Sequence, residues 1–143
     1  MKIAVDFDGT CVDHKFPEVG EDAPFVVDVL QELVDAGHKL ILNTMRSGQY
    51  LEEAVQWFVE REIPLSGINA DPAQSSWTQS PKVFADLYID DAALGSPCKM
   101  FPGFSRKCVS WTAVREELLD LKTASELAED IEDHENQRIG DMR

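Results

Sequence analysis

Hydrophobic and polar positions alternate along this chain in two rhythms. Lys2-Ile3-Ala4-Val5-Asp6-Phe7 is short and apolar, carries β-branched residues and stops at Gly9, so it reads as a buried strand. A polar stretch between Thr10 and Asp22, containing Pro17 and Gly20, reads as a loop. From Pro24 to Ala36 the apolar residues Val26, Val27, Leu30, Leu33 and Val34 recur at helical spacing, with proline near the start and Gly37 just past the end. Lys39-Leu40-Ile41-Leu42-Asn43 is a second buried strand ending at Thr44. A helix over about 50–61 follows, with Leu51, Ala54, Val55, Phe58 and Val59 as its inward face and Pro64 beyond it. Short strands are expected near Ile68 and over Leu87-Tyr88-Ile89, the second closed by Asp90-Asp91.

Strand and helix therefore alternate, the pattern of a parallel sheet with helices on both faces: a three-layer α/β/α, Rossmann-like α/β fold. Beyond Gly95 the signal thins to an edge strand around Met100 and a helix over about 112–121. Residues 1–122 form one domain, and 123–143 an acidic C-terminal helix or tail.

In open parallel sheets, ligands sit beyond the carboxyl ends of the strands. Asp6, Thr44 and Asp90 each fall at such an end. Asp6 and Asp8 lie two residues apart as the first strand ends, and Gly9 allows the turn that follows. Two carboxylates can divide phosphoryl transfer: one attacks phosphorus, the other protonates the leaving oxygen and later takes a proton from water. Their mutual repulsion invites a divalent cation, for which Asp90 is a natural further ligand. Mg2+ suits such a site, since it accepts a few carboxylate oxygens and keeps other positions for water or phosphate. Thr44 can hydrogen-bond a phosphoryl oxygen, and Lys82 can neutralise charge developing on it.

Four motifs in order, Asp6-Phe7-Asp8-Gly9-Thr10, Leu40-Ile41-Leu42-Asn43-Thr44, Lys82 and Tyr88-Ile89-Asp90-Asp91, resemble those of the haloacid dehalogenase superfamily of phosphatases over most of residues 1–95. The resemblance implies Asp6 as nucleophile and Asp8 as general acid and base. It implies metal ligation by the Asp6 side chain, the Asp8 main-chain carbonyl and Asp90, with Asp91 close by. Thr44 and Lys82 would hold the phosphoryl group, and Gly9, Thr10 and Arg46 complete the expected substrate-binding set. Thr44-Met45-Arg46 and the late Ile-Asp-Asp are closer to small bacterial hydrolases of unassigned substrate. The usual cap insertion places, after Thr10 and between Ile68 and Lys82, are short, which implies a capless enzyme. An open site also gives assembly a reason to exist, since a second subunit would close its mouth.

Charge narrows the partners. With 13 Lys+Arg against 27 Asp+Glu the net charge is −14, which disfavours nucleic acid and anionic membranes. The expected ligand is a phosphorylated small molecule, a sugar phosphate or a nucleotide, held by local cations and metal. Arg46 is either a clamp for substrate phosphate or an exposed loop cation. Asp13 reads as a turn residue; His14 and Asn69 read as plain loop residues, with a substrate contact for His14 and a place lining the mouth for Asn69 as the alternatives. Lys99, Arg106 and Lys107 form a basic island read as a solvated loop. Cys11, Cys98 and Cys108 form no CxxC pair and leave an odd thiol, so a reducing cytoplasm and structural thiols are expected. No apolar run approaches the ~20 residues that span a bilayer. The rival class is a phosphorylation-responsive receiver or a catalytically quiet phospho-ligand binder. Receivers place the acid pair first and Thr and Lys later, whereas here the DxD opens the chain.

Overall fold

A computed structural model describes residues 1–118. The acidic segment expected over 123–143, and the end of the 1–122 domain, lie outside the described residues. One compact unit spans Met1–Trp111 and another begins at Thr112; residues 111–118 are helical.

The strands β1 (Lys2–Val5), β2 (Lys39–Leu42), β3 (Gly67–Ile68) and β4 (Leu87–Ile89) form a parallel sheet, ordered β3-β2-β1-β4. Helix α1 (Val26–Asp35) connects β1 to β2 and α2 (Gly48–Glu60) connects β2 to β3. Together they make the mixed, Rossmann-like α/β arrangement expected from the alternation. β1 is flanked by strands on both sides, and its Ile3, Ala4 and Val5 are buried. Each such Ile or Val contributes roughly 1.5–3 kcal/mol by leaving water.

Helix α1 buries Val26, Val29, Leu30 and Leu33, a stripe at i, i+3, i+4 and i+7. It ends where Gly37 takes φ 91°, letting the His38 N–H reach back to the Leu33 carbonyl at 3.0 Å. Helix α2 starts at Gly48, two residues before the expected Tyr50. Its buried face is Ala54, Trp57 and Phe58, whereas Val59, expected inward, is 60% exposed. Trp57 takes the inward place because its indole N–H donates to Asp22 at 2.7 Å while its ring packs on Phe7 and Phe58.

The chain order decides where a ligand belongs. From β1 it runs outward through β2 to β3, then returns to the other side of β1 as β4. The strand order reverses between β1 and β4, and crevices open at such switch points.

Between Ile68 and β4 the chain carries one 3-10 turn, Gln74–Ser76, and no inserted domain. Past β4, the single edge strand expected near Met100 is instead a hairpin. β5 (Cys98–Lys99) pairs antiparallel with β6 (Cys108–Val109) in a separate two-stranded sheet. Its return strand meets the loop after β1: the Val109 N–H donates to the Gly9 carbonyl at 3.1 Å, and the Trp111 indole to the Thr10 carbonyl at 2.7 Å. Among the described residues no helix is long and apolar enough to cross a membrane. All three cysteines are free, with Cys11 and Cys108 buried.

Candidate active site

Parallel registry sets Val5 beside Leu42 on one flank and Ile89 on the other, so Asp6, Asn43 and Asp90 follow one step beyond the aligned strand ends. The Asp6 N–H extends the ladder to the Ile89 carbonyl at 2.9 Å. As a result Asp6, Asp90 and Asp91 each present an oxygen, all within 4.8 Å of one another. Sequence reasoning expected Asp6 and Asp90 to converge at the carboxyl ends of the strands, with Asp91 close by.

The tight turn after β1 completes the cluster. Gly9 has φ 81°, and a Cβ there would lie 2.5 Å from Asp91 Oδ2. Thr10 is fully buried, its hydroxyl 3.0 Å from Asp6 Oδ2 and 3.4 Å from Asp91 Oδ1, while accepting the Asp91 N–H at 3.2 Å. Gly9 and Thr10, expected to bind substrate, therefore do different work: one leaves room for Asp91, the other braces two carboxylates. Neither lines the pocket.

Asp8 and Arg46 form a pair. Arg46 Nε donates to Asp8 Oδ2 and Nη2 to Asp8 Oδ1, both at 2.7 Å. Its remaining N–H groups go to the carbonyls of Pro17, Tyr50 and Glu18. The guanidinium carries five N–H donors, and these contacts use all of them. Phe7 and Phe16 rings lie 5.2 Å from it, and the residue is only 3% exposed. Arg46 is thus neither an exposed loop cation nor a free clamp for substrate phosphate. It orients Asp8 through the fork geometry that only arginine offers. The Asp8 carboxylate itself stands outside the three-acid cluster, and half its lone-pair sites stay open.

Thr44 is aimed by two contacts. Asn69, held at φ 53°, accepts the Thr44 N–H at 2.8 Å, and Thr44 Oγ1 accepts the Arg46 N–H at 3.2 Å. The Thr44 hydroxyl proton is left to donate into the pocket. Lys82 does not arrive. It is exposed, its ammonium 5.6 Å from the Tyr88 ring centroid, and it is absent from the pocket lining. Gln74 braces the backbone of this segment: it accepts the Asp71 and Phe84 N–H groups and donates to the Ser80 and Lys82 carbonyls.

The pocket over the acids has a volume of about 390 Å³ and is lined by Asp6, Asp8, Thr44, Arg46, Asp90 and Asp91 together with His14, Phe16, Met45, Ala92 and Arg106. A larger apolar groove of about 780 Å³ along α2 and β3 offers Glu62 as its one ionisable group. The ionisable side chains gather in the smaller pocket. Arg106 and His14 reach it through a tether the sequence did not disclose. Asp13, expected as a turn residue, is buried and takes the Ser105 N–H at 3.0 Å and its hydroxyl at 2.9 Å.

Burial, the hydrogen bond with Asp91 and the charge of Asp90 push the Asp6 carboxyl up to about 8. Three clustered acids that hold a proton so tightly fit a hard divalent cation, which would replace it. Among the described residues, Asp6, Asp90 and Asp91 are the side chains that could together hold a metal ion.

No family model matches this chain, and none of the curated proteins does. A solved structure of a conserved protein from Bacteroides thetaiotaomicron is similar at 36% sequence identity and a TM-score of 0.71, across 89% of this chain and 96% of that one. The chain belongs to the same family as that conserved Bacteroides thetaiotaomicron protein.

Proposed function

We propose that this protein is a Mg2+-dependent phosphomonoester hydrolase of the haloacid dehalogenase type, with a capless three-layer α/β/α domain and an aspartyl-phosphate intermediate. The observation that carries the reading is the meeting of Asp6 with Asp90 and Asp91 at the switch point, in a pocket that also holds Asp8 and Thr44.

In this mechanism an Asp6 oxygen attacks phosphorus, forming the acyl phosphate and breaking the bond to the leaving oxygen. Asp8, aimed by Arg46, supplies the proton to that oxygen and then takes one from the water that hydrolyses the intermediate. Thr44 Oγ donates to a non-bridging oxygen. Bound Mg2+ would supply positive charge against the phosphate and hold Asp6 ionised. Because Arg46 is committed to Asp8 and Lys82 lies away from the pocket, a metal held by Asp6, Asp90 and Asp91 would supply most of the positive charge at this end of it. The ligand is a phosphorylated small molecule, and an intracellular compartment suits the three free thiols.

The test is phosphate release from phenyl phosphate with Mg2+, with EDTA and Asp6→Asn as controls. Release that needs the metal and disappears in the variant is the expected result. If the purified wild type releases no phosphate with Mg2+, the hydrolase reading fails and a quiet phospho-ligand binder takes its place.

A further inference from the structure

The pocket holds one cation that the proposed chemistry leaves unused. Arg106 lines it and is exposed, and among the described residues it has no ion-pair or hydrogen-bond partner. On a chain with 27 acidic side chains against 13 basic ones, a guanidinium left unpaired beside a cluster of carboxylates is conspicuous. The other guanidinium of the pocket, Arg46, has every donor engaged.

The placement of Arg106 is built. Its neighbour Ser105 donates N–H and hydroxyl to Asp13, and its hydroxyl also lies 2.8 Å from the His14 carbonyl. Asp13 is 1% exposed and is anchored by its own N–H to the Glu21 carbonyl at 2.8 Å. A buried carboxylate thereby ties the β5–β6 loop to the loop that follows the nucleophile. His14, whose ring has no partner among the described residues, lines the same pocket. The rest of the wall includes apolar Phe16, Met45 and Ala92. A 390 Å³ pocket with a carboxylate cluster fit for a metal at one end, and a guanidinium without a partner among the described residues, suits a compact ligand with two anionic groups.

We propose that Arg106 receives a second anionic group of the substrate, so that the preferred substrates are small phosphomonoesters bearing an additional carboxylate or phosphate. This rests on the hydrolase reading and adds the substrate class to it. Arg106 then acts in binding: its loss raises KM for doubly anionic substrates and leaves kcat and the hydrolysis of simple esters near the wild-type values.

The experiment compares phenyl phosphate, the 2-, 3- and 4-carboxyphenyl phosphates and the phenylene bisphosphates, using wild type, Arg106→Gln and Arg106→Glu with Mg2+. The expected wild-type result is a kcat/KM at least about tenfold higher for one or more doubly anionic esters than for phenyl phosphate, worth ~1.4 kcal/mol. The carboxylate and bisphosphate arms show which anion is favoured. Arg106→Gln should erase that preference through KM, and Arg106→Glu should invert it. Equal preference in wild type and Arg106→Gln, with phenyl phosphate still hydrolysed, overturns the Arg106 assignment alone. No hydrolysis of any ester overturns the hydrolase reading and this substrate class with it.

Discussion

The sharpest physical consequence of the proposed metal site is that stability and Mg2+ binding would be coupled through the protonation of Asp6. Its carboxyl is raised to about 8 from the ordinary 3.8. The folded protein therefore keeps a proton that the unfolded chain sheds near pH 4. This contribution is fully present below about pH 4 and is lost as pH rises toward 8, at up to ~1.4 kcal/mol per unit. Bound Mg2+ would favour the ionised form and compete with that proton, so its stabilising effect should grow with pH. The cluster also sets the size of a substitution. Two charges 4.8 Å apart repel by roughly 3.5 kcal/mol at an effective dielectric constant of 20. Partial exposure of Asp90 cuts this to ~1–2 kcal/mol. Asp90→Asn keeps an oxygen to accept the Ala92 N–H, now at 2.9 Å, while removing one charge. Near pH 9, without metal, this variant should melt about 4–8 °C above wild type. With saturating Mg2+ the order should reverse, because one ligand charge is gone. Thermal denaturation near pH 5 and pH 9, with EDTA and with Mg2+, measures all four cases. A Mg2+-induced shift that is the same at both pH values, or undiminished in Asp90→Asn, would refute the metal assignment.

Other substitutions probe separate parts of the site. Asp6→Asn should lower phosphate release by more than about a thousandfold while circular dichroism stays native; retained turnover would remove Asp6 as nucleophile. Arg46→Lys should cost ~2–4 kcal/mol in chemical denaturation, because a buried five-donor network becomes three donors, and should lower kcat by misplacing Asp8. A variant of wild-type stability would show that the Asp8 pair is dispensable. Thr44→Val should lower kcat roughly 10–100-fold with little change in melting temperature, and an unchanged kcat would deny its hydroxyl a role at the phosphoryl group. Gly9→Ala should destabilise by ~1–3 kcal/mol, since φ 81° is strained for alanine and its Cβ would drive Asp91 aside. Calorimetric titration should show weaker Mg2+ binding in that variant.

How much of this site was readable beforehand depends on whether a side chain's position follows from local rules. The rhythms of β1, β2 and β4 put Asp6, Thr44 and Asp90 near strand ends, and parallel registry then set Asp6 beside Asp90 and Asn43, with Thr44 one residue further along. The same logic could not see partners joined only by tertiary folding. Arg46 and Asp8 are 38 residues apart, and Ser105 and Asp13 are 92 apart. Nothing in Thr44-Met45-Arg46 distinguishes an arginine that turns inward to a carboxylate from one that faces substrate. Lys82 fails for the complementary reason. Its motif position was legible, but the Gln74 carboxamide that shapes its segment looks, in sequence, like any polar loop residue. The hairpin was half-legible, because two-residue strands are too short for an alternating pattern to register.

These misses share a physical cause that bears on function. In a chain carrying net charge −14, a buried carboxylate needs a donor, and the fold recruits it from wherever the topology brings one near. Asp8 draws Arg46, Asp13 draws Ser105 and Asp22 draws both Arg61 and Trp57. Asp6, Asp90 and Asp91 are the contrast. Thr10 provides one hydroxyl for two of them, and Asp90 has its own contact to the Ala92 N–H, yet no cation in the described chain reaches the trio. Among the described residues, the fold supplies these structural acids with its own donors and leaves the Asp6, Asp90 and Asp91 cluster with uncompensated negative charge. That uncompensated negative charge, more than the number of acids, is what a divalent ion would balance, and only with the ion in place would the pocket accept an anionic substrate.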